Sequence, residues 1–520
     1  MPPALPALSV ETAVLFYPRG GSAQVIRYLH HELNSRGHTT RLHAGSLGDA
    51  DVPSHAPTFY QGLDLHSVDY TPAYTAWQHG QDPQLATPPF HPSYEDRGVC
   101  PDPLFSAVTP AAAEHLTGTW ARHLADRRTP DTDLLHLHHL SHLQLAVHAS
   151  HPDMPRLTTL HGTELKLIAG MQQRVRLAAL VGRPLVELAR RLHSTNPYRA
   201  GEATQLAKAA DLSDHDAALL ADTAWEKWAH SAYWLTQLGQ AVRRAGRLIT
   251  VSDHDQALAT RLLNLPQEPP VVSNGVDTRA FHPQHLDAEE RLTHLRRWLV
   301  EDPRGWAPGD EPGSIRYTEH DLQRLRNPDG HLRPLLLWVG RYLNFKRVPD
   351  LLEAFAIART RLNPAPALVM WGGYPGECEG EHPADLAAKL GIADDVYFIG
   401  WRGHDELPAG LHCADLMVAP AVNEPFGMVY LEAQASGTPP ITTNTGGPAR
   451  IITPHGPNAN GWLVPPHNPA ALADTIIGAL TDARERGRRA TNARASAENT
   501  YSWARTADRY LDLYTSALDR

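Results

Sequence analysis

The chain has 520 residues, too many for one compact core, so length alone predicts roughly two to four domains. Hydrophobic residues make up 42% and charged residues 20%, which is the composition of folded globular protein and excludes disorder along the whole chain. The 47 basic and 57 acidic residues leave a net charge of −10; this excludes a nucleic-acid-binding surface spread over the molecule, though a local basic pocket remains open.

In chain order, the first apolar run, Thr12–Tyr17, predicts a strand and ends in PRGGS. Ile26, Leu29 and Leu33 then recur at helical spacing up to Gly37, and Thr39–His43 reads as the next strand. Strand, glycine loop, helix and strand make a βαβ unit. Residues 57–108 interrupt this rhythm with prolines and with Phe59, Tyr60, Tyr70, Tyr74, Trp77, Phe90 and Tyr94. So long a connection either touches an acceptor or is pinned to the body by its rings. Alternation returns at Asp133–Leu140 and at Leu157–Leu160, which runs into HGTE (His161–Glu164). Residues 165–247 read as helical, with Trp225 and Trp228 in the core, and Leu248–Val251 reads as a strand. The Pro-flanked stretch Pro269–Pro283 suits an interdomain connection, and residues 284–331 read as an insertion or mobile linker. A second series of strands comprises Leu335–Arg341, Ala367–Trp371, Val396–Gly400, Asp415–Pro420, Ile441–Asn444 and Trp462–Val464. An amphipathic stretch, Tyr501–Leu518, closes the chain. The pattern is two parallel α/β halves. Ligands are then expected at the carboxyl ends of the strands, in the loops after Tyr17, Leu160, Val339, Trp371 and Pro420.

Three scattered cysteines, Cys100, Cys378 and Cys413, suggest a reducing compartment and have no zinc-site spacing. The opening MPPALPALSVETAVLF lacks a basic segment and a long apolar core, so no signal peptide is expected. No apolar run reaches about 18 residues, so no transmembrane segment is expected either. The reading is a soluble, cytoplasmic, multidomain enzyme.

Two segments carry chemistry beyond fold. In GRYLNFKR (Gly340–Arg347), Arg341 offers a fixed fork for two phosphate oxygens and Lys346 a mobile point charge. Placed five apart across a βα loop, the two can converge on a diphosphate. In NEPFGMVYLEAQASG (Asn423–Gly437), a helix is expected over Met428–Ser436, with Glu424–Gly427 at its entrance. A helix start presents unpaired N–H groups to anionic or hydroxyl oxygens. Glu424 and Glu432 are eight residues apart, a rise of about 12 Å if helical throughout. That exceeds the roughly 5–9.5 Å of a glycosidase carboxyl pair and suits two contacts on one extended ligand, or simply a helix with ordinary acidic residues. TNTGGPAR (Thr443–Arg450) and PRGGS are further glycine loops able to take phosphate oxygens. Neither is GxGxxG or GxxxxGK[ST], so Rossmann dehydrogenase and P-loop readings lose support. Among the 31 histidines, the string HLHHLSH (His136–His142) sits at a strand end and has no HExxH pattern. It reads as packing and loop polarity rather than a metal site. His161 ends a strand where an imidazole can donate to a hydroxyl or stabilise charge, or serve structure alone.

Taken in order, these segments resemble the retaining nucleotide-sugar glycosyltransferases of family 4, which have the GT-B fold. The resemblance rests on GG after the first strand, HGTE, Val251–Ser252, NGVDTRAF (Asn274–Phe281), VGR-x4-K, WGG, VYFIGW, the E-x7-E segment EPFGMVYLE, and GTPPITTNTGG. It covers nearly all of 1–56, 130–164, 247–283 and 333–520. Residues 57–129 and 165–246 match less well, and 284–332 looks like an extra insertion. The resemblance implies an α/β fold of two Rossmann-like parallel domains facing across a cleft. Residues 1–268 would form the acceptor side, 269–332 an interdomain segment and insertion, and 333–498 the nucleotide-sugar-binding domain. Residues 499–520 would form a helix crossing back to the N-terminal domain.

The same resemblance implies roles. Arg341 and Lys346 would hold the donor diphosphate and stabilise the leaving nucleotide. Glu424, with the amides of Phe426 and Gly427, would contact the transferred sugar, and Glu432 the ribose. Gly21, with Gly20, would approach the diphosphate. His161 would sit near the reacting centre, and Trp401 and Arg402 where the base is held. The implied reaction moves a hexose-type sugar from a UDP- or GDP-sugar to a small-molecule, saccharide or lipid-linked acceptor. It would proceed with retention, with the nucleotide sugar as co-substrate, no metal and no other cofactor. A sugar phosphorylase, a nucleotide-sugar epimerase and a non-catalytic sugar-nucleotide-binding protein are the rival readings.

Overall fold

The structure, a computed structural model, describes residues 6–50, 52–96 and 100–519; the first five residues of the chain's opening lie outside them. The described residues fall into two compact units, one running to Val272 and including the segment from Ala507 onward, the other Ser273–Thr506.

The first unit is built on six parallel strands: β1 (Ser9–Val14), β2 (Thr39–Ser46), β3 (Asp64–Asp69), β4 (Leu134–His138), β5 (Arg156–Leu160) and β6 (Arg247–Thr250). Their order is β3-β2-β1-β4-β5-β6. The first strand starts and stops three residues earlier than the apolar run predicts. Glu11 can enter the sheet because His43, one strand away, lies 3.0 Å from its carboxylate, and a paired charge is tolerated where a bare one is not. β3 lies inside the stretch read as an interruption. Its sequence, DLHSVD, is too polar to stand out, which an edge strand allows. Helices fill the connections. The helix Gly20–Ser35 buries Ile26, Leu29 and Leu33, the stripe that the spacing predicts. In 165–246, Leu177, Leu188, Leu192, Leu206, Leu220 and Trp225 form a small core of their own, separate from the one beside the sheet. Trp228 instead packs against the main core.

The second unit repeats the plan with β7 (Leu335–Gly340), β8 (Ala367–Gly372), β9 (Val396–Gly400), β10 (Leu416–Val418), β11 (Pro440–Thr443) and β12 (Trp462–Val464), ordered β12-β11-β10-β7-β8-β9. Read from the other edge this is the strand order of the first sheet. Each sheet therefore reverses direction once, between β1 and β4 and between β7 and β10, and such a reversal opens a crevice at the carboxyl ends of those strands. Residues 284–331 correct the linker reading: they form the helices Ala288–Arg296 and Glu319–Gln323 with a π-helical turn, Arg297–Glu301, between them. Leu295, Trp298, Trp306 and Leu325 are buried there, so the segment is part of the second unit's core. The final helix, Trp503–Leu518, buries Tyr510 and Tyr514, whose hydroxyls hydrogen-bond Thr159 and His136.

Candidate functional site

In the second unit the loops after β7 and β10 meet at the reversal point. After Gly340 the chain passes half-buried Arg341 and makes a 3-10 turn, Asn344–Lys346, before the helix Val348–Arg361. Two neighbouring cations are used differently there. Arg347 takes a left-handed φ of 53° and forks onto both oxygens of Asp350 at 2.6 and 2.9 Å, clamping the helix start. Lys346 reaches across to the loop after β10 and pairs with Glu424, and both side chains are mostly buried. The two loops are also joined through the main chain, where the Val422 N–H donates to Phe345 O at 2.7 Å.

Beyond Glu424 the helix Met428–Ala435 begins only after Gly427, whose φ of 88° is a left-handed conformation that suits glycine. Glu424 therefore lies outside the helix, and a rise calculated for a continuous helix does not describe its distance from Glu432. Among the described residues, the amides of Phe426 and Gly427 donate to no protein acceptor. Glu432 is buried, and its Oε1 lies 2.7 Å from Nε2 of His404, whose ring packs against Phe281.

The glycine pair of TNTGG serves packing. The Gly447 N–H donates to Glu424 O at 2.8 Å, and a Cβ on Gly447 would come within 2.4 Å of Pro425 O. That amide is occupied, so the pair shapes the Glu424 loop instead of presenting Gly447 to phosphate.

Trp401 and Arg402 follow β9. Trp401 is 43% exposed. The side chain of Arg402 is engaged within the protein. Its guanidinium is buried, 2.9 Å from Asp302 Oδ2 and 3.0 Å from Trp298 O, and it also donates to Asp302 O. Asp302 and Trp298 belong to the stretch read as a linker, so sequence spacing gave no sign of this clamp.

In the first unit, Gly20 and Gly21 are exposed and open the helix Gly20–Ser35, whose start has no side-chain cap. Arg19 before them bonds Asp102 at 2.6 Å, with its guanidinium 4.5 Å from the Phe16 ring and 5.1 Å from the Tyr17 ring. Most of the aromatics of 57–108 are anchors: Tyr60, Tyr70, Phe90 and Tyr94 are buried, and the Tyr94 hydroxyl donates to Leu140 O.

His161 follows β5 in a cluster with His138 and His139. Its Nε2 lies 2.9 Å from His138 Nδ1, its backbone N–H donates to Glu164 Oε1 at 3.0 Å, and Glu164 Oε2 is 3.4 Å from His139 Nδ1. Burial first, and the neighbouring His139 and His136 second, hold the His161 ring well below the ordinary histidine pKa, so it is neutral at pH 7. Burial works against ionising Glu164, but His139 and the backbone donors outweigh it and its pKa is lowered. Glu164 was legible as a partner only through its place three residues after His161, the spacing of a helix-start carboxylate. Among the described residues no three His, Cys, Asp or Glu side chains are grouped to hold a metal ion, and no helix is long and apolar enough to cross a membrane.

Residues 323–496 match the sequence model of the family described as glycosyl transferases group 1. The chain is similar to the D-inositol 3-phosphate glycosyltransferase of Salinispora arenicola, 32% identical over 286 residues, 54% of this chain and 56% of the relative. It is also similar to the protein of the same name from Corynebacterium urealyticum, 32% identical over 313 residues, 59% of this chain and 69% of the relative. The match thus spans little more than half the length of the first relative and over two thirds of the second. Among solved structures, Anabaena HepE in complex with UDP-glucose resembles it in fold, with a TM-score of 0.56 at 15% identity over 98% of this chain and 100% of that one.

Proposed function

Because this chain belongs to the glycosyl transferases group 1, we propose that it is an enzyme that moves a hexose-type sugar from a UDP- or GDP-activated donor, with retention and without a metal. The observation that carries this reading is the Lys346–Glu424 pair at the reversal point of the second sheet, inside the residues that match the family. Breaking the bond from the sugar to the diphosphate leaves negative charge on the departing nucleotide. Arg341 and Lys346 stabilise that charge more than they stabilise the intact donor, and this difference lowers the barrier.

In the ligand-free enzyme Lys346 is neutralised by Glu424. A diphosphate competes for the ammonium, and the freed carboxylate accepts hydrogen bonds from the sugar hydroxyls. The amides of Phe426 and Gly427 donate to the same sugar. Glu432 has one oxygen committed to His404 and the other left for the ribose diol. The base is held beside Trp401 through ring and backbone, since the Arg402 guanidinium is already committed. In the first unit, Gly20 and Gly21 offer helix-start amides to phosphate oxygens, and His161 donates from its ring to a sugar hydroxyl.

UDP is the favoured nucleotide, supported by the likeness to a UDP-glucose complex. The relatives' name makes D-inositol 3-phosphate the first acceptor to test, among small-molecule, saccharide and lipid-linked alternatives. The three cysteines, joined by no disulfide among the described residues, fit a cytoplasmic site of action. The test is nucleotide release from UDP- and GDP-sugars with and without that acceptor, before and after EDTA. Release that survives EDTA supports the reading. No heat with UDP or GDP in calorimetry, together with no release from any donor, overturns it.

A further inference from the structure

The histidine string after Leu135 is not used by this reaction, yet part of it is built against His161. We propose that His138 is a positioning residue that fixes neutral His161 as its Nδ1–H tautomer, so that the ring nitrogen offered to a sugar hydroxyl is always a donor; this rests on the role given to His161 above. His138 ends β4 and His161 follows β5, the adjacent parallel strand. Their rings stack with centroids 5.2 Å apart and planes 22° apart, and His138 Nδ1 lies 2.9 Å from His161 Nε2. One of these two nitrogens holds the shared proton.

The other nitrogen of His138 decides which. That ring is fully buried and its Nε2 has no hydrogen-bond partner among the described residues. A proton on Nε2 strands a buried N–H, whereas a proton on Nδ1 is used in the shared bond and strands only a lone pair. Orphaned buried N–H groups are the rarer defect in folded proteins. His138 therefore donates from Nδ1 and His161 Nε2 accepts. Both rings are neutral, because burial and the surrounding histidines lower both pKa values. A neutral imidazole that accepts at Nε2 carries its proton on Nδ1. His161 Nδ1 has no protein partner among the described residues and is not buried, so it is the nitrogen left for a ligand. Glu164 fixes the same residue at its backbone.

The experiment is nitrogen-15 NMR of histidine-labelled full-length protein, with the His161 signals identified by their loss in His161→Asn. Wild type should show His161 protonated at Nδ1. His138→Leu should shift it toward the Nε2–H form, and His138→Asn, whose amide N–H occupies the Nδ1 position, should restore it. In nucleotide release from UDP-glucose, His138→Leu should lower kcat at least about tenfold with donor KM within about twofold, while His138→Asn recovers most of the loss. Added to His161→Leu, which removes the ring donor, His138→Leu should cost nothing further. An Nε2–H His161 in wild type, or equal behaviour of His138→Leu and His138→Asn, overturns the proposal. If the tautomer pattern holds but His161→Leu keeps wild-type turnover, the catalytic reading of His161 fails instead. If His161→Leu is inactive and His138→Leu is unimpaired, the positioning role alone fails.

Discussion

The two sheets share one strand order and hold their polar groups by different means. In the first unit those groups are built into the strands: Glu11 in β1, His43 in β2, and His136 and His138 in β4 are all buried. Several lie close together, with Glu11 3.0 Å from His43, His43 3.1 Å from His123, and the Thr132 hydroxyl donating to Glu11 at 3.1 Å, while Nε2 of His138 has no hydrogen-bond partner among the described residues. In the second unit the central strands β7 and β8 are apolar runs, LLLWVG and ALVMWG. Lys346 and Glu424 stand on loops past the strand ends, and those loops are tied by main-chain bonds. A polar group inside a sheet is fixed in place, and its protonation state becomes a condition of folding. A polar pair on tied loops can exchange partners without disturbing the sheet, which is what a site that must accept and release a diphosphate requires.

The largest test of this contrast is acid. Unfolded histidines take up a proton near pH 6.5, whereas burial lowers His30, His123, His136 and His142 in the first unit to about 3. Between those values the unfolded chain binds more protons than the folded one, so stability falls as pH drops below about 6.5 and levels off near 3. Each ring costs about 1.4 kcal/mol per pH unit within that window. In the second unit the downward shifts of His294, His382 and His412, again led by burial, are smaller. Acid incubation followed by pulsed hydrogen exchange at one common pH should therefore expose β1, β2 and β4 before β7, β8 and β10. Simultaneous loss, or earlier loss of the second unit, would remove the distinction.

The next two tests address the loops. Lys346→Ala should cut turnover by about a hundredfold or more, equivalent to roughly 3 kcal/mol of leaving-group stabilisation. Its stability cost should stay within about 1–3 kcal/mol, from the mostly buried Glu424 left without its partner, so the protein still folds. A large loss of stability with normal turnover of the folded fraction would make the pair structural. Glu432→Gln keeps an acceptor for His404 but weakens the grip on a ribose diol, and should raise donor KM about tenfold with little change in kcat. A drop in kcat at constant KM would move Glu432 to the reacting centre.

The contrast also explains what could be read from the chain before folding. Apolar β7 and β10 announce themselves, and the loops they feed carry short charged motifs of fixed spacing, so Arg341, Lys346, Glu424 and Glu432 could be named from sequence. Strands that carry compensated charge do not announce themselves. Glu11 shifted the apparent start of β1, and the alternation of β3 is too polar to stand out. The ring partners of His161, His138 and His139, lie at and just past the end of the neighbouring strand, far from it in sequence, and only sheet register brings them together. Likewise 284–331 read as an insertion or mobile linker because its buried tryptophans and leucines are spaced among prolines, glycines and charges.

Arg402 gives the smallest expected effect on the ligand and the sharpest separation of motif from role. It stands where a family member is expected to hold the base, yet its guanidinium is closed off by Asp302 and by carbonyls of the inserted segment. Arg402→Met keeps the aliphatic bulk and removes the clamp. Buried carbonyls and a carboxylate then lose their donor, which should cost about 1–3 kcal/mol of stability. Nucleotide affinity measured by calorimetry on the folded protein should stay within about twofold, since no ligand contact is lost. The opposite pattern, unchanged melting and binding weakened tenfold, would mean that the clamp opens when the nucleotide arrives and that the side chain reaches the base. Trp401→Ala supplies the control: its exposed ring supports no clamp, so it should weaken nucleotide binding without touching stability.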